Sequence, residues 1–178
     1  MSERFAQQTL RLAGRIRLAV FDVDGVMTDG RLYYGENGVE TKAFHTRDGL
    51  GLKALMQHGI GVAVITARRS ELLARRMAEL GIDQFVQGRE DKRQALDELL
   101  AILELSPTHA AYTGDDLVDW PAMLVCGLKC APADAASWVR ERADHVTLQG
   151  GGHGAVREVC ELLLAGHGVL ETWQDSFK

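Results

Sequence analysis

Arg17-Leu18-Ala19-Val20-Phe21-Asp22-Val23-Asp24-Gly25-Val26-Met27-Thr28 is the stretch around which the rest of the chain arranges itself. Residues 17–21 form a near-continuous apolar run, the pattern of a strand covered on both faces. Two carboxylates two residues apart follow at once, and Gly25 permits a sharp exit. In open α/β sheets, ligands bind outside the carboxyl ends of the strands, which is where Asp22 and Asp24 fall. Two such carboxylates repel each other and would lose their ionisation without a cation. A hard divalent metal such as Mg2+ resolves the conflict with oxygen ligands of this kind. Asp, Asp, Gly and Thr at these four spacings arise by chance at roughly one in 10^4 to 10^5 start points.

Outward from this strand, short apolar runs alternate with helical patterns. Val62–Ile65 and Ala110–Thr113 read as further strands, and Gln84–Val86, Leu128–Ala131 and His145–Leu148 as shorter ones. Helices are expected over about Leu50–His58, Ser70–Leu80, Asp91–Leu103, Asp134–Arg142 and Ala155–Leu164. Ser70 is a candidate N-cap, and Gly81 a C-terminal stop. In the third of these helices, Ala95, Leu96, Leu99, Leu100 and Leu103 keep helical spacing. The alternation predicts an α/β fold, a Rossmann-like three-layer structure around a parallel sheet, in one domain spanning residues 1–178. Gly30–His45 breaks the rhythm. Two β-prone runs flank Gly35-Glu36-Asn37-Gly38, and Asn-Gly at a turn signals a projecting β-hairpin. It is either a surface decoration or a contact to another chain.

The 178 residues carry 46% hydrophobic and 25% charged side chains, within the range of ordinary globular domains. Apolar stretches such as Gly59–Ile65 fall far short of the ~20 residues of a bilayer span. The first residues lack the apolar core of a signal peptide. The expected location is therefore cytoplasmic, away from any membrane. A net charge of −5 with no basic patch argues against nucleic acid as a partner. Cys126, Cys130 and Cys160 are too few and too clustered for a disulfide framework, and are expected to be buried free thiols.

A second carboxylate cluster, Gly114-Asp115-Asp116-Leu117-Val118-Asp119-Trp120-Pro121, follows the strand at Ala110–Thr113. Asp115 is placed to share a metal with Asp22. Asp119 is expected to cap the helix opening at Trp120-Pro121, since Pro suits a first turn, or to support the site from behind. Thr66, in Thr66-Ala67-Arg68, ends another strand. Its hydroxyl and the following N–H groups could hold phosphoryl oxygens. Lys92 opens a helix, where the helix dipole disfavours a cation. That hints at placement for function.

The order Asp-x-Asp-Gly-x-x-Thr, then strand-Thr, then Lys, then Gly-Asp-Asp-x-x-x-Asp resembles the phosphatases of the haloacid dehalogenase superfamily. The resemblance implies Asp22 as nucleophile, Asp24 as acid and base, and Thr66 and Lys92 as phosphoryl-binding groups. It implies Mg2+ at Asp22, Asp24 (through its main-chain carbonyl) and Asp115, with Asp116 nearby. The longer stretches Phe21–Gly30, Lys42–Gly49, Gly114–Pro121 and Gly154–Val159 are similar to one family within it, the 3-deoxy-D-manno-octulosonate 8-phosphate phosphatases, from about Ile16 to Leu164. That likeness implies homotetramers acting in lipopolysaccharide inner-core biosynthesis. It also places Asp24, His45, Thr46, Arg47, Asp48, Gly49, Lys53, Arg68, Arg76 and Lys92 against a sugar-acid phosphate. Arg68 and Arg76, eight apart on one expected helical segment, suit a ligand with a phosphate at one end and a carboxylate at the other.

The chain departs from the family pattern at three places. His45 replaces the usual Asn, Ala67 a common Gly, and His153 in Gly151-Gly152-His153-Gly154 the usual Arg. A sister group acting on nine-carbon, sialic-type acid phosphates tends to carry Glu in place of Arg68 and Lys in place of Glu79. Neither is present, which favours the eight-carbon substrate. A non-catalytic tetramerisation module would not need Asp24, Thr66, Lys92 and Asp115 together. A phosphomutase would need a lid domain to hold a reorienting substrate. The intervals Asp24–Thr66 and Thr66–Lys92 have no room for such a lid, so closure is expected from a neighbouring chain, through the hairpins and the tail Glu171–Lys178.

Overall fold

The computed structural model describes residues 5–178. In chain order the elements are α1 (Gln7–Ala13), β1 (Leu18–Phe21), β2 (Tyr33–Tyr34), β3 (Glu40–Thr41), α2 (Thr46–Gln57), β4 (Gly61–Thr66), α3 (Glu71–Leu80), β5 (Gln84–Gln87) and α4 (Lys92–Ile102). They continue with β6 (Ala110–Thr113), α5 (Trp120–Met123), β7 (Leu128–Ala131), α6 (Ser137–Arg140), β8 (His145–Val146), α7 (Ala155–Gly166) and α8 (Leu170–Asp175). Six strands form a parallel sheet in the order β5-β4-β1-β6-β7-β8. All four residues of β1 are buried, as its uninterrupted apolar run predicts. It pairs with β4 on one side and β6 on the other, with Phe21 opposite Val64 and Thr113.

Strand alternation divides the core into two layers. Ala19 and Phe21 face α1, α2, α3, α7 and α8, whose Leu52, Leu73, Val156 and Trp173 complete that layer. Leu18 and Val20 face α4, α5 and α6, with Leu96, Met123 and Val139. The expected three-layer α/β architecture is therefore present. After β1 the chain builds outward through β4 and β5, then returns to lay β6 on the other side of β1. That reversal opens a crevice at the carboxyl ends of β1 and β6. By parity, the residue after Phe21 belongs with Val20 and Leu18, on the α4 side.

The hairpin is present but shorter than its sequence span. Only Tyr33 and Tyr34 pair with Thr41 and Glu40, around a 3-10 turn at Glu36–Gly38 in which Gly38 takes φ +73°. Leu32, Tyr33, Tyr34 and Val39 are exposed on it. The helix expected over Asp134–Arg142 shrinks to α6, because the Asp134 carboxylate accepts the Gly151 N–H and holds its own segment in a turn. The tail expected from Glu171 is largely α8, pinned by the buried Trp173. Cys126, Cys130 and Cys160 are buried free thiols. Burial pushes the Cys126 thiol up to about 12. No helix among the described residues is long and apolar enough to cross a membrane.

Candidate active site

Asp22 leaves β1 on the α4 side and is 4% exposed. There it meets Lys92, the first residue of α4, at 2.9 Å. The same Nζ lies 2.6 Å from Asp119 Oδ1. Lys92, itself 4% exposed, thus sits between two buried carboxylates. Burial alone would lower the pKa of its ammonium, but Asp22 and Asp119 outweigh that and raise it. Its unfavourable place at a helix start is explained by these partners rather than by the dipole.

Asp115 comes from the loop after β6. Gly25, at φ +91°, makes room for it: a Cβ there would lie 2.1 Å from Asp115 Oδ2. Carboxylate oxygens of Asp22, Asp115 and Asp119 all lie within 4.8 Å of one another. Burial raises the Asp22 carboxyl from 3.8 to about 7, helped by the charge of Asp119. Burial likewise raises Asp115 to about 7, with Asp119 and Asp22 adding to it. One ammonium against three crowded carboxylates leaves excess negative charge in a low-dielectric place. A hard divalent cation with oxygen preference fits that donor set.

Of the two roles expected for Asp119, the structure supports the one behind the site and not the cap. Its side chain makes no capping bond to α5. It turns back instead, accepting the N–H groups of Asp115 at 3.0 Å and Asp116 at 3.2 Å on Oδ2. With no exposed surface, it ties the Asp115 loop to Lys92 and, at 3.5 Å, to the Tyr112 hydroxyl. Two amide donors and one ammonium hold this carboxylate away from the adjacent N-terminus of a four-residue helix.

Thr66 ends β4, 2% exposed, and its Oγ1 accepts the Arg68 N–H. Arg68 therefore lies in a turn, and α3 begins only after Ser70, whose Oγ accepts the Leu73 N–H. The expected single helical segment for Arg68 and Arg76 is thus corrected: only Arg76 is on α3. Arg68 reaches the hairpin instead, with Nη2 2.8 Å from Glu40 and Nε 3.8 Å from Asp24. Asp24 also accepts a hydrogen bond from Lys42 Nζ.

The remaining predicted residues gather on α2. His45 is its N-cap, with Nδ1 accepting the Arg47 N–H at 3.2 Å. The imidazole thus supplies the acceptor that an Asn would have supplied. Thr46 and Arg47 are exposed on the first turn. Asp48 is 3% exposed, and its Oδ1 accepts the Arg157 N–H in the first turn of α7. Burial raises its pKa. Gly49 lets Arg76 lie across it, since a Cβ would stand 2.6 Å from Arg76 Nη2. Lys53 is exposed on α2, and His153 is exposed in its glycine-rich loop. Sequence reading missed Lys42 and Glu40. They stand 18 and 16 residues from Asp24, on a hairpin with no helical or strand periodicity relating them to it.

No protein-family model matches the chain. A HAD superfamily (subfamily III A) hydrolase of Legionella pneumophila superposes with a TM-score of 0.91 at 41% identity, over 96% of this chain and 93% of its own. The chain has the fold of the haloacid dehalogenase superfamily hydrolases, and its β1–β6 crevice gathers the carboxylates and the buried lysine. The curated 3-deoxy-D-manno-octulosonate 8-phosphate phosphatase KdsC of Yersinia pestis is 49% identical over 166 residues, 93% of this chain and 89% of its own. The crystal structure of 3-deoxy-D-manno-octulosonate 8-phosphate phosphatase from Moraxella catarrhalis, in complex with magnesium ion, phosphate ion and KDO, has a TM-score of 0.95 at 41% identity, over 98% and 100% of the two chains. The chain belongs to the family of 3-deoxy-D-manno-octulosonate 8-phosphate phosphatases.

Proposed function

We propose that this chain hydrolyses 3-deoxy-D-manno-octulosonate 8-phosphate to the free sugar acid and inorganic phosphate, in lipopolysaccharide inner-core biosynthesis. The observation that carries the reading is Asp22, buried and held 2.9 Å from Lys92 at the carboxyl end of β1, with Asp24 two residues on. An Asp22 carboxylate oxygen attacks phosphorus in line, the phosphorus–oxygen bond to the sugar breaks, and an aspartyl-phosphate forms. Asp24 gives its proton to the departing sugar oxygen. It then takes one from the water that attacks the same phosphorus, which frees phosphate and restores Asp22. Lys92 and the Thr66 hydroxyl stabilise the phosphoryl oxygens as charge builds on them. Splitting the reaction in two matters, because uncatalysed monoester hydrolysis is among the slowest of biological reactions.

Asp22, the main-chain carbonyl of Asp24 and Asp115 would hold Mg2+, with Asp119 close behind. The ion supplies charge neutralisation to the phosphoryl group and its nucleophile when bound. A test follows from the carboxyls near 7. Raised folded-state values mean that the metal-free fold binds more protons than the unfolded chain between about pH 4 and 7. This contribution to stability is full below 3.8 and lost as pH rises through about 7. The midpoint of thermal unfolding without metal should therefore fall from pH 5 to pH 8. Magnesium chloride at about 100 times its pH 8 Kd should raise it by about 5–10 °C at pH 8, and the same concentration far less at pH 5. Equal shifts at both pH values would contradict this ligand set.

Toward the sugar acid, we assign His45, Thr46, Arg47, Asp48, Gly49, Lys53, Arg68 and Arg76, with Asp24 and Lys92 at the phosphate end. Asp48 acts there by anchoring the start of α2 to α7. The whole chain is taken as one phosphatase domain, and its hairpins, exposing Leu32, Tyr33, Tyr34 and Val39, as the pairing surface of a homotetramer. Phosphate release with Mg2+ should be measured over a panel of eight- and nine-carbon sugar-acid phosphates, with the particle mass taken on the same sample. The eight-carbon 8-phosphate should lead by at least about tenfold in kcat/KM, in a tetramer. A nine-carbon lead would move the substrate assignment, and a fully active monomer would remove the assembly.

A further inference from the structure

Lys42 stands one residue past β3, and its side chain is 5% exposed. Its Nζ donates to Asp24 Oδ1 and lies 3.6 Å from Glu40 Oε1. That glutamate oxygen also takes Arg68 Nη2 at 2.8 Å. Arg68 Nε, buried and without a hydrogen-bond partner, faces Asp24 Oδ2 at 3.8 Å, beyond hydrogen-bond range. The two oxygens of Asp24 are therefore treated differently. One is bound by a buried ammonium from the hairpin, and the other faces an arginine without bonding to it.

Proton transfer to a leaving oxygen depends on where the donor oxygen sits, and small misplacements are costly. Asp24 lies on a loop just past β1, so its carboxyl needs an outside partner to fix its orientation. We propose that Lys42 is the positioning residue of Asp24. It binds Oδ1 and so leaves Oδ2 as the oxygen that exchanges the proton with the leaving group. Glu40 serves the arrangement by balancing Lys42 and drawing Arg68 to the Oδ2 side. The hairpin is then a working part of the catalytic loop as well as an exposed surface. This inference rests on the reading of Asp24 as the acid and base.

The test uses the full chain and its Lys42→Met, Lys42→Arg and Asp24→Asn variants, each checked by thermal unfolding and particle mass. Two substrates are compared: 3-deoxy-D-manno-octulosonate 8-phosphate, whose alkoxide must be protonated, and p-nitrophenyl phosphate, whose phenolate leaves unaided. Lys42→Met should lower kcat on the sugar-acid phosphate by about 10^2-fold, with KM within about threefold. Its kcat/KM on p-nitrophenyl phosphate should stay within about threefold, and Lys42→Arg should recover most of the loss. Equal losses of kcat/KM on both substrates, or a loss carried by KM, would overturn the positioning role. If Asp24→Asn shows the contrast between substrates and Lys42→Met does not, the positioning role alone falls. If Asp24→Asn lowers kcat/KM on both substrates alike, the general-acid reading falls and takes the proposal with it.

Discussion

Asp22→Asn should abolish turnover, by about 10^4-fold or more, while leaving the fold intact. The amide cannot form an acyl-phosphate at physiological rate, and no other carboxylate is bonded to Lys92 in the same way. Asp119 shares that lysine but has no exposed surface and is spent on the amides of Asp115 and Asp116. The fold should even gain. Burial and the neighbouring Asp119 raise Asp22 to about 7, so its charge costs the metal-free protein stability at pH 8. Removing that charge should raise the metal-free thermal midpoint at pH 8, with Lys92 still paired to Asp119 at 2.6 Å. Single-turnover phosphate release and a melting curve check both halves. Substantial activity in the variant would remove Asp22 from the nucleophile's place.

Asp119→Ala should be the most damaging substitution to the fold of the site. It leaves Lys92 with one partner in a buried position, and it orphans two amides of the loop that carries Asp115. Breaking a buried, hydrogen-bonded ion pair by removing one member costs about 3–5 kcal/mol. Catalysis should fall with it by about 10^2-fold or more, because Asp115 and Lys92 both lose their restraint. Asp119→Asn should be milder. Its single oxygen can serve Lys92 or the loop amides, but not both. Denaturant unfolding of the two variants beside the parent measures the difference. An alanine variant as stable as the parent would show that Lys92 is held without Asp119.

The sheet was legible because its strands are buried on both faces, and unbroken apolar runs such as Leu18–Phe21 and Ala110–Thr113 have little other reading. Ser70 and Gly81 were legible because capping is local chemistry: a side-chain acceptor at one end and φ +73° at the other. Asp22, Thr66, Lys92 and Asp115 stood out because strand ends and a helix start give them addresses. What failed was long-range. For Asp119 a cap and a supporting role were both open, because the lysine 27 residues earlier that decides between them has no local signal. Arg68 was paired with Arg76 on one helical segment by their spacing of eight alone, but the Thr66 hydroxyl holds its N–H in a turn before α3. Asp134 was kept out of α6 through a glycine 17 residues away. The helix α1 and the helical tail α8 take their place from packing on α7, which no local pattern records.

The central claim is that Asp22 takes the phosphoryl group from a sugar-acid phosphate. Rapid acid quench of the parent chain during turnover of 3-deoxy-D-manno-octulosonate 8-phosphate, followed by borohydride reduction and peptide mass spectrometry, tests it directly. Reduction of an aspartyl-phosphate converts that one aspartate to homoserine. The expected product is homoserine at position 22 only, formed when magnesium and substrate are both present. Homoserine at Asp24 or Asp115, or none at all while phosphate is being released, would contradict the mechanism.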